Sequence, residues 1–339
     1  MILPTFRCNL SCWYCVQEHT KVDLTPEQVE RIKLHLKKYL VKHDINNFYL
    51  TWFGGEPLLR YDIITDITSY AKKLCEELNI SMNAGITTNS LLLTEKRIKE
   101  LGNLNMNFFQ ITIDGNREAH NKVKHIPNVD TFERALNNIA NIVRLIPNAN
   151  VNLRINYSNK TLTPNEIIKE VNEFIPQELR HQIEIAPKKI WQEDERTIKE
   201  DKVFEMTDLI RESGYSLMAT EYGICYVDYK HNTTIFPNGK IDICNLDNQE
   251  GRAELNENGD VVWPEVDLCF QQSVDKENIL CNHCKHLPLC AGPCPVQRNF
   301  MIRETGHVQC LFNDQSTMEQ RMASEIKKYY KEFVDNKPQ

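Results

Sequence analysis

The sequence lacks the features that would place the protein in or across a membrane. No run of residues approaches the roughly 18 consecutive apolar residues that a membrane-spanning helix requires. The N-terminal sequence MILPTFRCNLSCWYC has no basic region followed by a long apolar core, so no secretory signal is recognisable. These absences predict a cytoplasmic protein with no membrane partner.

Long basic tracts, internal repeats and low-complexity linkers are also missing. The chain has 40 basic and 47 acidic side chains, a formal net charge of −7. Proteins that bind nucleic acids in general carry clustered positive charge, so we expect no nucleic-acid partner. The length of 339 residues leaves room for two domains at roughly 100–200 residues each.

Cysteine, in contrast, is abundant, with twelve residues in the chain. A reducing cytoplasm keeps thiols free of disulfides, so clustered cysteines in such a protein are typical of metal ligands or catalysts. One cysteine fits neither use: Cys75 follows Leu74 on an apolar helical face, where a free thiol behaves as a small core residue.

The first half of the chain alternates between strand-like and helix-like segments. Thr25 and Pro26 have the residue types of an N-cap and a first helical position, and a helical pattern continues to about Lys42. A short apolar strand is expected before Cys8. Further strands are predicted at 47–53, 81–88, 106–113, 151–157 and 183–186, with helical stretches at 63–78, 94–101 and 131–145. Such alternation predicts parallel strands joined by crossover helices, in a barrel or an open sheet.

The second half has a different character from about Glu221 onward. Turn signals occur at 237–239 and 256–259, and eight cysteines lie within 225–310. A loop-rich region of this kind offers little periodicity for a large core, so we expect it to fold around metal centres. Residues 315–334 have the pattern of a terminal helix.

Three cysteines form a C-x3-C-x2-C triplet close to the N-terminus: Cys8, Cys12 and Cys15. Three thiolates are one ligand fewer than a structural zinc ion or a fully ligated iron–sulfur cluster takes. His19 would complete a Cys3His zinc site. Alternatively, the triplet holds a [4Fe–4S] cluster whose fourth iron is open to a cofactor or substrate.

The triplet, with the aromatic Tyr14 just before its third cysteine, resembles the signature of radical S-adenosylmethionine (SAM) enzymes. The resemblance implies a partial (β/α)6 TIM-like barrel and a [4Fe–4S] cluster whose open iron chelates the methionine moiety of SAM. One electron from the cluster would then cleave SAM to a 5′-deoxyadenosyl radical that abstracts hydrogen from a substrate.

Further motifs of this family occur in the expected order. Gly54-Gly55-Glu56-Pro57 resembles the GGEP motif that meets the SAM amino group, and Ile86-Thr87-Thr88-Asn89 resembles the segment near the SAM ribose. Gln110–Gly115 resembles QISLDG, with Thr112 in place of a SAM-contacting serine. His120-Asn121-x-x-Lys124 resembles HDxxR, with Lys124 replacing the arginine that meets the SAM carboxylate. Arg154 and Asn156 lie on the predicted fifth strand and would face the same cavity. The resemblance implies SAM contacts at Tyr14, Gly54, Gly55, Glu56, Pro57, Thr88, Asn89, Thr112, Asp114, Lys124 and Arg154.

The C-terminal cysteines resemble the seven-cysteine SPASM motif, which carries two auxiliary [4Fe–4S] clusters in related maturases. The resemblance implies one cluster on Cys281, Cys284, Cys290 and Cys310, and another on Cys225, Cys244 and Cys294. The second set lacks a fourth ligand. Three possibilities remain open: His231 ligates, Cys269 is recruited, or one iron stays open for substrate.

These resemblances imply a two-domain enzyme with three [4Fe–4S] clusters and SAM. We expect a radical SAM domain at 1–215, a SPASM domain at 216–314 and a terminal helix at 315–339. Enzymes of this type mostly crosslink, epimerise or oxidise peptides, so the expected function is maturation of a ribosomally made precursor peptide. In sulfatase maturases an aspartate follows the second SPASM cysteine. In this chain Asn245 has that position, and an amide cannot serve as a base at neutral pH. We therefore rank formylglycine formation below peptide crosslinking.

The expected partners are a precursor peptide, a flavodoxin or ferredoxin electron donor and a separate leader-binding protein. Only seven residues precede the first cluster cysteine, so we expect the leader-recognition domain of related maturases to be absent or encoded separately. A non-catalytic zinc or iron–sulfur protein is the alternative from another class.

Overall fold

A computed structural model describes residues 1–190, 192, 200–218, 231–245 and 251–264. The chain divides into two compact units. The first comprises Met1–Ala219 and Thr233–Pro264, and the second comprises Thr220–Asn232 and Glu265–Gln339. Of the second unit only residues 231 and 232 are described. The expected division into domains at 215 and 314 therefore stays a prediction.

Six parallel strands in sequential order form the main sheet of the first unit. Crossover helices join them, as parallel pairing of consecutive strands requires. The strands are β1 Asn47–Trp52, β2 Ser81–Thr88, β3 Met106–Asp114, β4 Asn150–Tyr157, β5 Ile183–Lys189 and β6 Ser216–Leu217. The helices are α1 Pro26–Lys42, α2 Tyr61–Leu78, α3 Glu95–Asn103, α4 Arg117–Val123, α5 Thr131–Leu145, α6 Pro164–Phe174 and α7 Glu200–Glu212, with 3₁₀ turns at Pro57–Arg60 and Gln177–Gln182.

The two faces of the sheet differ in chemistry. On β4, Val151, Leu153 and Ile155 are fully buried and belong to the large apolar core with α5 and α6. The alternate positions carry Asn152, Arg154 and Asn156. Since successive side chains of a strand point to opposite faces, these polar residues share the other, inner face of the sheet. One face thus builds the core and the other is available for a polar site.

The N-terminal segment joins this sheet to a second, smaller one. Ile2 forms a parallel bridge with Trp52 at the end of β1 and another with Ile235. Ile235 belongs to a four-stranded antiparallel sheet in the order β10-β9-β8-β7. Its strands are β7 Thr234–Ile235, β8 Lys240–Asp242, β9 Ala253–Leu255 and β10 Val261–Val262.

Most of the predicted elements are confirmed. The limits of β2 and α5 are as predicted, and α1 begins with a capping box in which Thr25 and Gln28 exchange side-chain-to-backbone hydrogen bonds of 2.8 and 3.2 Å. Gly239 and Gly259 close the two predicted turns by donating to Phe236 and Asn256, each at 2.9 Å. Among the described residues, no helix is long and apolar enough to cross a membrane.

The predicted first strand is wrong. Residues 2–7 make only isolated bridges, because Ile2 is shared between two sheets instead of pairing along one. The sheet still has six strands, since β6 adds a strand after β5 that the sequence pattern did not indicate. The α/β class with a six-stranded parallel sheet is confirmed and is consistent with a partial barrel. The cysteine-rich C-terminal region lies largely outside the described residues.

The turn after β1 lies directly against the N-terminal segment, backbone to backbone. Gly55 donates to Thr5 O at 3.2 Å and Glu56 donates to Arg7 O at 2.8 Å. A Cβ on Gly55 would lie 2.2 Å from Arg7 O, and one on Gly54 would lie 2.6 Å from Thr5 O. Gly54 also has a φ of +133°, which L side chains rarely adopt. Only glycine permits this approach.

The substitution Gly55→Ala tests how much the fold depends on this approach. We expect a loss of at least about 3 kcal/mol in the free energy of unfolding, because the added methyl group meets backbone that cannot move aside cheaply. Gly214→Ala is the control: its φ of +87° imposes strain, but nothing lies within 4 Å of the new Cβ, so about 1 kcal/mol is expected. Urea unfolding followed by circular dichroism measures both. Equal losses would contradict the steric argument.

Candidate functional site

The cysteine loop, residues 8–15, is held at the carboxyl ends of the parallel strands. Asn89, just after β2, donates from Nδ2 to Asn9 Oδ1 at 2.8 Å. Tyr14 donates its hydroxyl to Asp114 Oδ1, at the end of β3, at 2.5 Å. Gln192 donates to Tyr14 O at 2.7 Å. This edge of parallel α/β structures is where ligands usually bind.

The three thiols of the loop lie in graded environments. Cys8 and Cys12 are half-buried, whereas Cys15 is exposed. Burial raises the pKa of Cys8 to about 11, although Leu10 N–H donates to its sulfur; the nearby Glu56, Cys12 and Cys15 raise it further. Burial also raises the pKa of Cys12, while Lys124 acts in the opposite direction. Metal binding must therefore displace protons from these thiols, as thiolate coordination always requires.

The arrangement of the thiols bears on which centre they suit. His19 Nε2 lies 3.4 Å from Cys15 Sγ. Within the described part of the chain, however, no three His, Cys, Asp or Glu side chains converge to hold one metal ion. A zinc ion needs its ligands about 2.0–2.3 Å from a single centre. A cubane cluster distributes its cysteines over separate irons, so the three thiols of one loop can each take one iron and leave the fourth open.

Glu56, of the GGEP-like motif, is fully buried beside this loop. Its Oε1 accepts from Leu58 N at 3.0 Å and from Thr88 Oγ1 at 2.7 Å, and its Oε2 accepts from Asn89 N at 2.8 Å. Burial raises the pKa of Glu56 to about 7 despite these three donors. The carboxyl thus ties the turn after β1 to the end of β2. Pro57, also buried, begins the 3₁₀ turn that follows.

Asp114 and Lys124 form a buried ion pair at the end of β3. Lys124 Nζ donates to Asp114 Oδ2 at 2.6 Å and to Thr112 O at 2.7 Å. Burial alone would raise the pKa of Asp114, but the Lys124 ammonium, His120 and the hydrogen bonds from Lys124 and Tyr14 together hold that pKa below its usual range. His120 Nδ1 accepts from Asp114 N at 3.2 Å. Burial and Lys124 lower the pKa of His120 to about 3, so its ring is neutral.

Arg154 and Asn156 lie two residues apart on the inner face of β4. Arg154 Nε donates to Asn156 Oδ1 at 2.8 Å, and Asn156 Nδ2 lies 3.4 Å from Asp114 Oδ1. In the sheet register, Thr112 pairs with Arg154 and Asp114 with Asn156. The structure thus brings together predicted residues of the cysteine triplet, of the four motifs that follow it, and of β4.

The predicted ligands of the auxiliary clusters are mostly outside the described residues. Cys244 is described and buried, at 4% exposed, and Asn245 beside it is 6% exposed. His231 is exposed. The other predicted ligands, and Cys269, lie outside the described residues: Cys225, Cys281, Cys284, Cys290, Cys294 and Cys310. Cys75 is 1% exposed within the apolar core, as predicted.

Sequence reasoning missed several residues that hold the loop. Asn9, within the loop, accepts from Asn89, and Gln192 donates to Tyr14 O; no motif singles out Asn9 or Gln192. Asp23 accepts from Thr5 Oγ1 at 2.5 Å and from Arg7 Nε at 2.9 Å, which fixes the segment leading into Cys8. Arg60 also pairs with Asp23, at 3.2 Å. The sequence carried a signal only for Asn9, which directly follows a predicted cluster ligand, Cys8. The contacts of Gln192, Asp23 and Arg60 join distant parts of the chain and leave no local pattern.

Residues 2–159 match the family model described as the Radical SAM superfamily. The match takes in the cysteine loop and β1 to β4. This part of the chain is therefore similar to radical SAM domains, in agreement with the motifs. Members of this superfamily are enzymes that use SAM and a [4Fe–4S] cluster.

Individual relatives extend the comparison. The Probable GTP 3′,8-cyclase of Methanococcus aeolicus is 32% identical over 114 residues, which are 32% of this chain and 35% of that protein. The chain thus spans about a third of that relative. The structure of anSMEcpe with bound AdoMet and Cp18Cys peptide has a TM-score of 0.67 at 17% identity, covering 96% of this chain and 97% of that one. SuiB of Streptococcus suis bound to precursor peptide SuiA has a TM-score of 0.62 at 17% identity, covering 90% and 72%. Both structures share the fold.

The substitution Glu56→Gln tests the raised pKa of the buried carboxyl. Because the folded pKa of about 7 lies above the unfolded value of 4.5, Glu56 stabilises the fold most below pH 4.5, and this contribution is lost as the pH rises through 7. Relative to Glu56→Gln, the wild type should lose up to about 3 kcal/mol in the free energy of unfolding between pH 4 and pH 8.

Urea titrations at several pH values measure this difference, and Glu77→Gln on the exposed face of α2 is the control. A constant difference between wild type and Glu56→Gln across this range would contradict the assignment.

Proposed function

We propose that the protein is a radical SAM/SPASM maturase that modifies a ribosomally made precursor peptide. The observation that carries the proposal is the placement of Cys8, Cys12 and Cys15 on one loop. Asn89 and Asp114 hold that loop to the ends of β2 and β3, next to the Gly54-Gly55 turn. Three thiols and an adjoining polar inner face are what a site-differentiated cluster with bound SAM requires.

The residues of the chain have separate tasks in this proposal. When bound, the cluster supplies the electron that cleaves SAM to a radical able to abstract hydrogen. Gly54 and Gly55 expose backbone beside the loop, and Thr88, Asn89 and Thr112 line the neighbouring strand ends. Pre-organised polar groups of this kind orient a bound cofactor without reorganisation during the reaction.

Two features support a peptide as the substrate. The C-terminal cysteines resemble the SPASM motif, which is typical of peptide maturases. Two solved structures with the same fold contain bound peptides, Cp18Cys in one and SuiA in the other. The reaction would be a crosslink, a thioether or an epimerisation. Its partners would be the peptide, a flavodoxin or ferredoxin donor and a leader-binding protein.

The sequence similarity to GTP 3′,8-cyclases favours a second candidate. That similarity covers about a third of each protein. GTP should therefore be tested as a substrate beside peptides encoded near this gene. Formylglycine formation on a sulfatase peptide stays a further alternative, disfavoured because Asn245 cannot act as a base at neutral pH.

The substitution Cys12→Ala tests the SAM cluster. We expect the anaerobically reconstituted variant to lose about four irons per chain and all reductive cleavage of SAM, because the site loses one of its three thiolates. Cys75→Ala removes a buried thiol outside the loop and should keep both. Iron analysis and chromatography of 5′-deoxyadenosine measure the outcome. Zinc without labile sulfide, and no 5′-deoxyadenosine from the wild type, would contradict the proposal.

A second substitution, Cys290→Ala, tests the auxiliary clusters. The wild type should hold about twelve irons per chain in three clusters, and the variant about eight. SAM cleavage without peptide should persist in Cys290→Ala, since the cysteine loop is untouched. A wild type with only about four irons would refute the auxiliary clusters and leave the radical SAM domain standing.

A further inference from the structure

Lys124 has the position at which the resemblance implies a contact to the SAM carboxylate, but its surroundings indicate another role. It follows α4 and is 4% exposed. Its ammonium group donates to Thr112 O at 2.7 Å and to Asp114 Oδ2 at 2.6 Å. Two of the three donors of a lysine ammonium are thus used within the chain.

The positive charge of Lys124 is neutralised by the adjacent carboxylate of Asp114. Asp114 is 3% exposed and lies in direct contact with the ammonium. A second carboxylate that approached Lys124 would meet the repulsion of Asp114 at nearly the same distance. An arginine has five donors in a fork and can bind two carboxylates at once, whereas a lysine acts as a single point charge. With a lysine where the motif has an arginine, this chain lacks at position 124 the guanidinium group that could bind Asp114 and the SAM carboxylate at once.

The other oxygen of Asp114 connects this pair to the cysteine loop. Tyr14 Oη donates to Asp114 Oδ1 at 2.5 Å, across a separation of 100 residues. Tyr14 lies between Cys12 and Cys15 in the sequence, so the position of its ring constrains both thiols. A continuous set of contacts thus runs from Lys124 through Asp114 and Tyr14 to two of the three cysteines.

We propose that Lys124 is a positioning residue, which fixes the cysteine loop through Asp114 and Tyr14 and does not itself bind the carboxylate of SAM. This inference rests on the proposed function, since it concerns how the cluster and SAM are held. The motif implies that residue 124 contacts the SAM carboxylate, whereas the proposed role of Lys124 is to position the cysteine loop. The ion pair orients the loop, and the SAM carboxylate is bound elsewhere.

A double-mutant cycle on the reconstituted protein separates the two roles. Lys124→Met leaves Asp114 buried without its partner, so we expect SAM affinity, measured by anaerobic equilibrium dialysis, to fall at least tenfold. Asp114→Asn in the same chain removes the uncompensated charge while its amide oxygen still accepts from Tyr14. The double variant should recover SAM affinity to within about threefold of the wild type. Lys122→Met, an exposed change in the last turn of α4, is the control for lost charge.

A direct contact between Lys124 and the SAM carboxylate gives the opposite result. The double variant would then bind SAM as weakly as Lys124→Met, and the proposal would be overturned. A wild type that holds no iron–sulfur cluster or does not bind SAM would instead refute the proposed function, so the two failures are distinguishable.

Tyr14→Phe keeps the test decisive if Lys124→Met does not fold. This change removes only the hydroxyl that joins the loop to Asp114 and keeps the ring and the ion pair. We expect the electron paramagnetic resonance spectrum of the reduced, SAM-free cluster to change in line shape and g values relative to the wild type, and SAM affinity to fall several-fold. Unchanged spectrum and affinity in Tyr14→Phe would show that this connection does not position the loop.

Discussion

The site depends on one backbone contact, the approach of Gly54 and Gly55 to the segment from Thr5 to Arg7. The hydrogen bonds from Gly55 to Thr5 O and from Glu56 to Arg7 O join the end of β1 to the residues just before Cys8. Any side chain at Gly55 would overlap this backbone. Through this contact the cysteine loop begins at a fixed point beside the sheet.

Hydrogen bonds from the strand ends then fix the rest of the loop. Glu56 joins the end of β1 to the end of β2, Asn89 holds Asn9, and Asp114 holds Tyr14. All of these groups lie at one edge because parallel strands end together there. The apolar face of the sheet supplies a rigid core, while the polar inner face is where we propose that SAM binds. Rigid support of this kind lets three thiols keep positions that their own short loop does not determine.

The sequence predicted the strands of the first unit well because their apolar periodicity is strong and their turns are well marked. It placed the N-terminal segment wrongly, since Ile2 pairs with two different sheets and local pattern carries no sign of that. The motif residues converge as expected, but the partners of the loop could not be predicted. Asn9 with Asn89 and Gln192 with Tyr14 are contacts across 80 and 178 residues. The loop-rich second half has too little periodicity for prediction beyond its two turns.

The most direct test of the central claim is electron paramagnetic resonance of the anaerobically reconstituted, dithionite-reduced wild type, recorded with and without SAM. The claim is that the cysteine loop holds a [4Fe–4S] cluster with an iron open to SAM. It predicts an S = 1/2 signal whose g values shift when SAM is added, because the cofactor binds the open iron. A spectrum that SAM leaves unchanged, or a protein that holds zinc and gives no signal, would contradict it.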